Sequence, residues 1–240
     1  GLAVDEGAKH DPEGTALTAS ADGNGFVLNG TKRFVVDGGP ADRPLVLAKT
    51  EGGLTLFDVD ASATGITRQA QDMIDSRDAA QVDFENVQAT GEDVLGNVDD
   101  AMTVLRPALE AGQAAVAAEM LGLSAGAFGM TVHYLKERKQ FGVEIGRFQA
   151  LQHRAAHLWS ETELCQSTVR HAGRQLDDDP ANAGLAVSLA KAKATQTAKL
   201  AVMEGVQMHG GIGMTDAFDM GFYMKRARVA AEWLGDYSYH

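Results

Sequence analysis

Beyond Gly96 the sequence consists of long helix-forming stretches joined by short connections, which leaves few architectures open. Residues 99–137, 147–176 and 180–208 are rich in Ala, Leu, Met and Glu, and a fourth helical pattern covers about 217–233. Between the second and third stands "LDDDPANAG", where Asp177 to Asp179 and Pro180 mark a stop and a new start. This acidic run reads as a solvated, helix-capping loop. Such a pattern predicts an up-and-down four-helix bundle.

The first hundred residues have a different texture. "GFVLNGTKRFVVDGG" (25–39) carries two β-branched apolar runs around Asn29-Gly30, a strong short hairpin signal. "PLVLAKT" (44–50), "GLTLFDVD" (53–60) and "AAQVDFENV" (79–87) follow with strand-like patterns and Gly/Asp punctuation. Several short strands without a helical period predict a small antiparallel barrel or sandwich. The expected organisation is α+β, with a β-domain at 1–97 and the four-helix domain at 98–240.

Charge marks the same boundary. Residues 1–100 hold 19 Asp/Glu and 7 Lys/Arg, a net −12, whereas residues 101–240 hold 14 of each and are neutral. An acidic half beside a neutral half argues against nucleic acid and anionic membrane surfaces as partners. Charges interrupt the apolar runs before ~18 residues, so no transmembrane helix is expected. The chain opens at Gly1-Leu2-Ala3 without a basic, apolar leader. A lone cysteine, Cys165, excludes an internal disulfide and suits a reducing cytoplasm.

Within the helical half, "VQMHGGIGMTD" (206–216) breaks the pattern with three glycines in four positions. One glycine suffices to end a helix; three keep a backbone clear for close approach. A diphosphate is held by exposed backbone N–H groups and by a guanidinium fork. Gly210-Gly211 offers the first, and Arg138 in "ERKQFGVEIGRFQALQHRAAHL" (137–158) offers the second.

These two stretches, with "NGTKRFVVDGG" and "DFENV" before them in order, resemble the acyl-CoA dehydrogenase family of flavoproteins. The resemblance covers essentially the whole chain as the family's middle β-domain and C-terminal helical domain; nothing here matches its N-terminal helical domain. It implies FAD as cofactor. Arg138, Phe141, Phe148 and Gln149 would contact its diphosphate and adenine side. Gln207, Gly210 and Gly211 would approach the diphosphate of an FAD held mainly by a neighbouring subunit, so a dimer, tetramer or heteromer is expected. Phe34, Val35 and Val36 match the segment against the flavin ring, with Val36 lacking the hydroxyl of the family's Thr.

The implied reaction introduces an α,β double bond into an acyl-CoA thioester and passes electrons to an electron-transfer flavoprotein. An oxidase-like enzyme that reduces oxygen and a non-catalytic FAD-binding partner subunit are the alternatives. In the family a carboxylate removes the α-proton, usually just before a Gly near the end of the domain. Leu234 stands there, before Gly235. In a second subgroup the carboxylate lies on the first long helix, where this chain has Gly112.

Glu119 is the substitute expected as base. It lies seven residues after Gly112, on the same helical face. Its neighbours Ala117, Ala118, Met120 and Leu121 would desolvate it and raise its pKa. Its other reading is a structural partner of an Arg on a neighbouring helix. Glu110 faces roughly the opposite side, and Glu232 points away from the usual site. His153 and His157 have the i, i+4 spacing of a zinc pair, but no third ligand accompanies them, so no metal is expected. His209 reads as structural.

Overall fold

The computed structural model describes residues 1–240. They form two compact units, Gly1–Leu109 and Glu110–His240.

The first unit holds eight strands: β1 (Leu2–Ala3), β2 (Thr18–Asp22), β3 (Gly25–Val36), β4 (Leu45–Lys49), β5 (Leu54–Asp58), β6 (Ile66–Ala70), β7 (Ala79–Thr90) and β8 (Val94–Leu95). They share one sheet in the order β6-β7-β3-β2-β4-β5-β8, with β1 added beside β4. Most pairings are antiparallel, as expected, but β4 runs parallel to both β1 and β2, so the sheet is mixed. Alternation explains which face is inside. In β7, Ala80, Val82 and Phe84 are buried between more exposed neighbours, and they meet Leu28, Val35, Val46 and Phe57 in one core.

The hairpin expected at Asn29-Gly30 is not there. The chain turns earlier, at Gly23-Asn24, and Asn29-Gly30 sits inside the single long strand β3. Its register against β7 shifts between Leu28 and Gly30, so the pair serves a bulge. Gly30 has φ +143°, and a Cβ there would lie 2.8 Å from the Leu17 backbone. Asn29 accepts a hydrogen bond from the Asn86 N–H at 2.8 Å. A close-packed bulge uses the same dipeptide as a tight turn, which is why the sequence misleads.

Lys32 points into this unit with its side chain fully buried. Its ammonium donates to Glu6 Oε1 (2.7 Å), Val4 O (3.0 Å) and Thr15 Oγ1 (3.3 Å). The Glu6 carboxylate also accepts the N–H groups of Ala16 and Leu17. Burial alone would raise the Glu6 carboxyl, but Lys32 and the two backbone donors outweigh it and hold it low. This network ties the segment before β2 to the sheet.

Four helices follow: α1 (Ala101–Glu137), α2 (Gln149–Asp178), α3 (Gly184–His209) and α4 (Met220–Glu232), close to the four sequence patterns. Each contributes one residue to a buried cluster of Ala127, Leu158, Ala201 and Met220. Small residues bring α4 close, since a Cβ on Gly205 would lie 2.6 Å from Met220 Sδ and one on Gly126 2.8 Å from Tyr223. Asp179 ends α2 through its backbone N–H to Gln175 O, while its carboxylate accepts from the Asn182 side-chain amide at 2.9 Å and caps neither following helix, so the capping expected of these acidic side chains is not seen there. When Glu119 is tolerated, α1 contains an 18-residue window of mean hydropathy 1.4, long and apolar enough by length and composition to cross a membrane. Its Ala, Val, Leu and Met residues give that value.

Candidate functional site

Arg138 follows the last residue of α1, and its guanidinium is exposed with no ion-pair partner. The chain then forms a two-residue hairpin between β9 (Lys139–Gln140) and β10 (Val143–Glu144). Its central residues, Phe141 and Gly142, both have positive φ (54° and 80°), the signature of a type I′ turn. A left-handed phenylalanine is an uncommon conformation that costs energy and marks candidate functional positions. Phe141 is 93% exposed at the tip. Its ring meets only Phe148 edge-on, at 6.1 Å between centroids. Phe148 is itself partly exposed, and Gln149 opens α2 beside it.

At the far end of α3 the glycine run forms a short 3-10 turn, Gly210–Met214. The three glycines have different reasons to be glycine. Gly210 has φ +64° and caps α3. Gly213 packs so closely that a Cβ would lie 2.8 Å from Val206 O. Gly211 has neither constraint: its backbone is exposed and a Cβ would touch nothing within 4 Å. Nothing in the chain itself requires glycine there, a freedom shared with the exposed Gly7 and Gly91; its place in the glycine turn at the end of α3 is what leaves this bare backbone open to an outside ligand. Gln207 is exposed one turn earlier.

In the β unit, the three residues of the expected flavin-facing segment diverge. Phe34 is a bulged residue with φ +54°, 42% exposed, its N–H donating to Gln71 Oε1 at 2.8 Å. Val35 is withdrawn into the sheet core, and Val36 is half-buried. Only Phe34 presents a side chain outward.

Gly112 and Leu234 meet. Leu234 has a left-handed backbone (φ +56°), and its Cδ1 lies 2.8 Å from where a Gly112 Cβ would be. Gln113 holds the Leu234 carbonyl at 3.1 Å, and the fully buried Lys191 donates to Gly235 O at 2.7 Å. Burial pulls the Lys191 pKa down to about 8. Sequence reasoning missed both clamping residues; the only available signal for Lys191 was a lysine set in an alanine-rich helical face. Hydrocarbon therefore fills the contact between these two positions.

Glu119 faces α4 as its spacing implies, but not in the desolvated setting expected from its neighbours. Its carboxylate is exposed and binds Arg226 in a fork, Oε1 to Nε at 2.5 Å and Oε2 to Nη2 at 2.8 Å. Arg226 also lies over the Trp233 ring, 5.8 Å from its centroid. The reading as partner of a neighbouring helix's Arg accounts for this geometry. Glu119→Gln is therefore expected to cost about 1–3 kcal/mol of stability in thermal melts, because a part-buried guanidinium loses its charged partner. Flavin reduction per folded molecule should be unchanged; a selective loss of reduction would make Glu119 the base.

Three further side chains take structural places. His157 reaches Glu161 at 3.9 Å, and no group of three His, Cys, Asp or Glu is disposed to hold a metal. Cys165 is fully buried, which pushes its thiol pKa up. His209 is buried at the base of the glycine turn.

Comparison with known proteins agrees with this geometry. Residues 3–87 match the middle domain of acyl-CoA dehydrogenase and residues 100–239 its C-terminal domain. The chain belongs to the acyl-CoA dehydrogenase family. It is 31% identical over 237 residues to the short/branched chain specific acyl-CoA dehydrogenase of Rattus norvegicus, covering 95% of this chain and 55% of that protein. The structure matches butyryl-CoA dehydrogenase from Megasphaera elsdenii with a TM-score of 0.91 at 25% identity, over 99% of this chain and 64% of that one. It also matches the Tcur3481-Tcur3483 steroid ACAD with a TM-score of 0.86 at 32% identity, over 99% and 63%. This chain thus spans a little over half to two thirds of these relatives.

Proposed function

We propose that this chain is the FAD-binding middle and C-terminal part of an acyl-CoA dehydrogenase that introduces an α,β double bond into an acyl-CoA thioester. The observation that carries this is the bare, unconstrained backbone of Gly211, at the end of the bundle's third helix. An unpaired Arg138 guanidinium adds a charged donor, and the outward Phe141–Phe148 pair adds an aromatic surface, a combination suited to a dinucleotide. Bound FAD would supply the two-electron acceptor, with an electron-transfer flavoprotein as the next acceptor. In the helical unit, Arg138 and the Gly210–Gly211 backbone would hold a diphosphate, the glycine turn that of a neighbouring subunit's cofactor; in the β unit, Phe34 would stand against a flavin ring.

A second reading has its own support: the chain could be a partner subunit that completes another chain's active site. Leu234 and Gly112 present no acid, and Glu119 is engaged by Arg226. A related steroid ACAD carries a paired name, Tcur3481-Tcur3483. Anaerobic mixing of the complete protein with an acyl-CoA panel separates the readings. Flavin bleaching by the protein alone supports the dehydrogenase, and rapid reoxidation by air would identify an oxidase. Bleaching only when a second, co-expressed family member is present supports the partner subunit.

Both readings require assembly if Gln207 to Gly211 reach a neighbour's cofactor. The flavin-loaded complete protein should elute as a dimer or larger on size-exclusion chromatography with light scattering. A monomer retaining full flavin would contradict this.

A further inference from the structure

His209 sits between the two turns and belongs to neither role assigned so far. Its ring forms a triangle with those of Tyr134 and Phe218, with centroid separations of 4.5 Å to Tyr134, 4.4 Å to Phe218 and 5.9 Å between Tyr134 and Phe218. Tyr134 belongs to the last turn of α1, and its carbonyl accepts the Arg138 N–H at 2.9 Å. Phe218 follows the glycine run. One buried imidazole therefore touches both the stem of the arginine turn and the exit of the glycine turn, whose own rings also meet edge-on.

Its hydrogen bonding fixes its chemical form. Nδ1 is 2.7 Å from the Gly205 carbonyl, which can only accept, so Nδ1 carries the proton. Nε2 is then a bare acceptor, buried without a donor. Burial also lowers the imidazole pKa, which favours the neutral ring. An unsatisfied buried atom is a cost that a purely space-filling residue would not carry. The ring is held by its two aromatic neighbours and by Nδ1, and the glycine turn folds back on it, since a Gly213 Cβ would lie 2.9 Å from His209 Cβ.

We propose that His209 is a positioning residue that couples the glycine turn to the Arg138 turn as the third member of the Tyr134–His209–Phe218 ring cluster, so that both present their diphosphate-binding groups together. The flavin part of this statement rests on the function proposed above; the coupling does not. The test compares His209→Ala, His209→Phe and Tyr134→Leu in the complete protein, by amide hydrogen exchange and by flavin bound per folded molecule.

His209→Ala should speed exchange about tenfold at the Arg138 amide and at the Gly210 and Thr215 amides, the scale of losing an aromatic pair. His209→Phe keeps the ring cluster and should restore protection at both turns. Tyr134→Leu lies outside the glycine turn and should still loosen it, which keeps the test open if His209→Ala folds poorly. Flavin retention should fall about tenfold in the two loosened variants, the same free-energy scale. Loosening confined to one turn, or His209→Phe behaving like His209→Ala, would overturn the coupling. Loosening of both turns with flavin retained upholds the coupling and refutes the flavin reading instead.

Discussion

Gly211→Leu should leave the fold of this chain untouched and strip the complete protein of its FAD. The first half follows from space, since a side chain at 211 meets nothing within 4 Å. A surface change of this kind shifts stability by less than ~0.5 kcal/mol. The second half follows from the ligand. A branched side chain would occupy the volume the diphosphate needs, and overpacking of ~1–3 kcal/mol corresponds to roughly 5- to 150-fold weaker binding. Arg138→Ala should act in the same direction by a different route, removing a charge-assisted bond worth about 1.5–3 kcal/mol. Paired measurements of melting temperature and flavin affinity check this, and a stable Gly211→Leu variant with full flavin would move the cofactor elsewhere.

Glu6→Ala should be the most damaging single change in the β unit. It leaves the fully buried Lys32 ammonium with only neutral acceptors and also removes the partner of the Ala16 and Leu17 N–H groups. Breaking a buried pair from one side costs about 3–5 kcal/mol, or roughly 15 °C or more of melting temperature for a unit of this size. Lys32→Met should cost less, because Glu6 keeps two N–H donors and some solvent contact. The pH dependence has a defined sign. Without its carboxylate, buried Lys32 has a folded pKa depressed further below its unfolded value. The unfolded chain then binds more protons, and the Glu6→Ala variant should regain stability as pH rises towards 10.5. Equal losses for the two variants, or a variant that weakens with rising pH, would argue that the pair is not what holds the segment.

The helices were legible because long Ala/Leu/Met patterns bounded by Pro180 and the glycine run admit little else. Arg138 and Gly210-Gly211 stand out as candidates because a guanidinium and a bare backbone are written in residue type. Asn29-Gly30 was not, since a bulge and a turn share one dipeptide and only the neighbouring strand decides between them. Glu119 shows a similar ambiguity. Its apolar sequence neighbours point around the helix, whereas its carboxylate follows Arg226, a residue 107 positions away. Val35 turned inward for the same kind of reason, because the irregularity between Lys32 and Val35 resets the strand's inside–outside alternation. Lys191 and Gln113 act on carbonyl groups, which carry no trace in the sequence.

The most direct test is to purify the complete protein, alone and co-expressed with any paired family member, and to identify the flavin it releases on denaturation while comparing Gly211→Leu. The account predicts FAD in the unmutated protein or complex and its loss in Gly211→Leu at unchanged melting temperature of the flavin-free form. Absence of flavin from every preparation, with no uptake of added FAD, would contradict it.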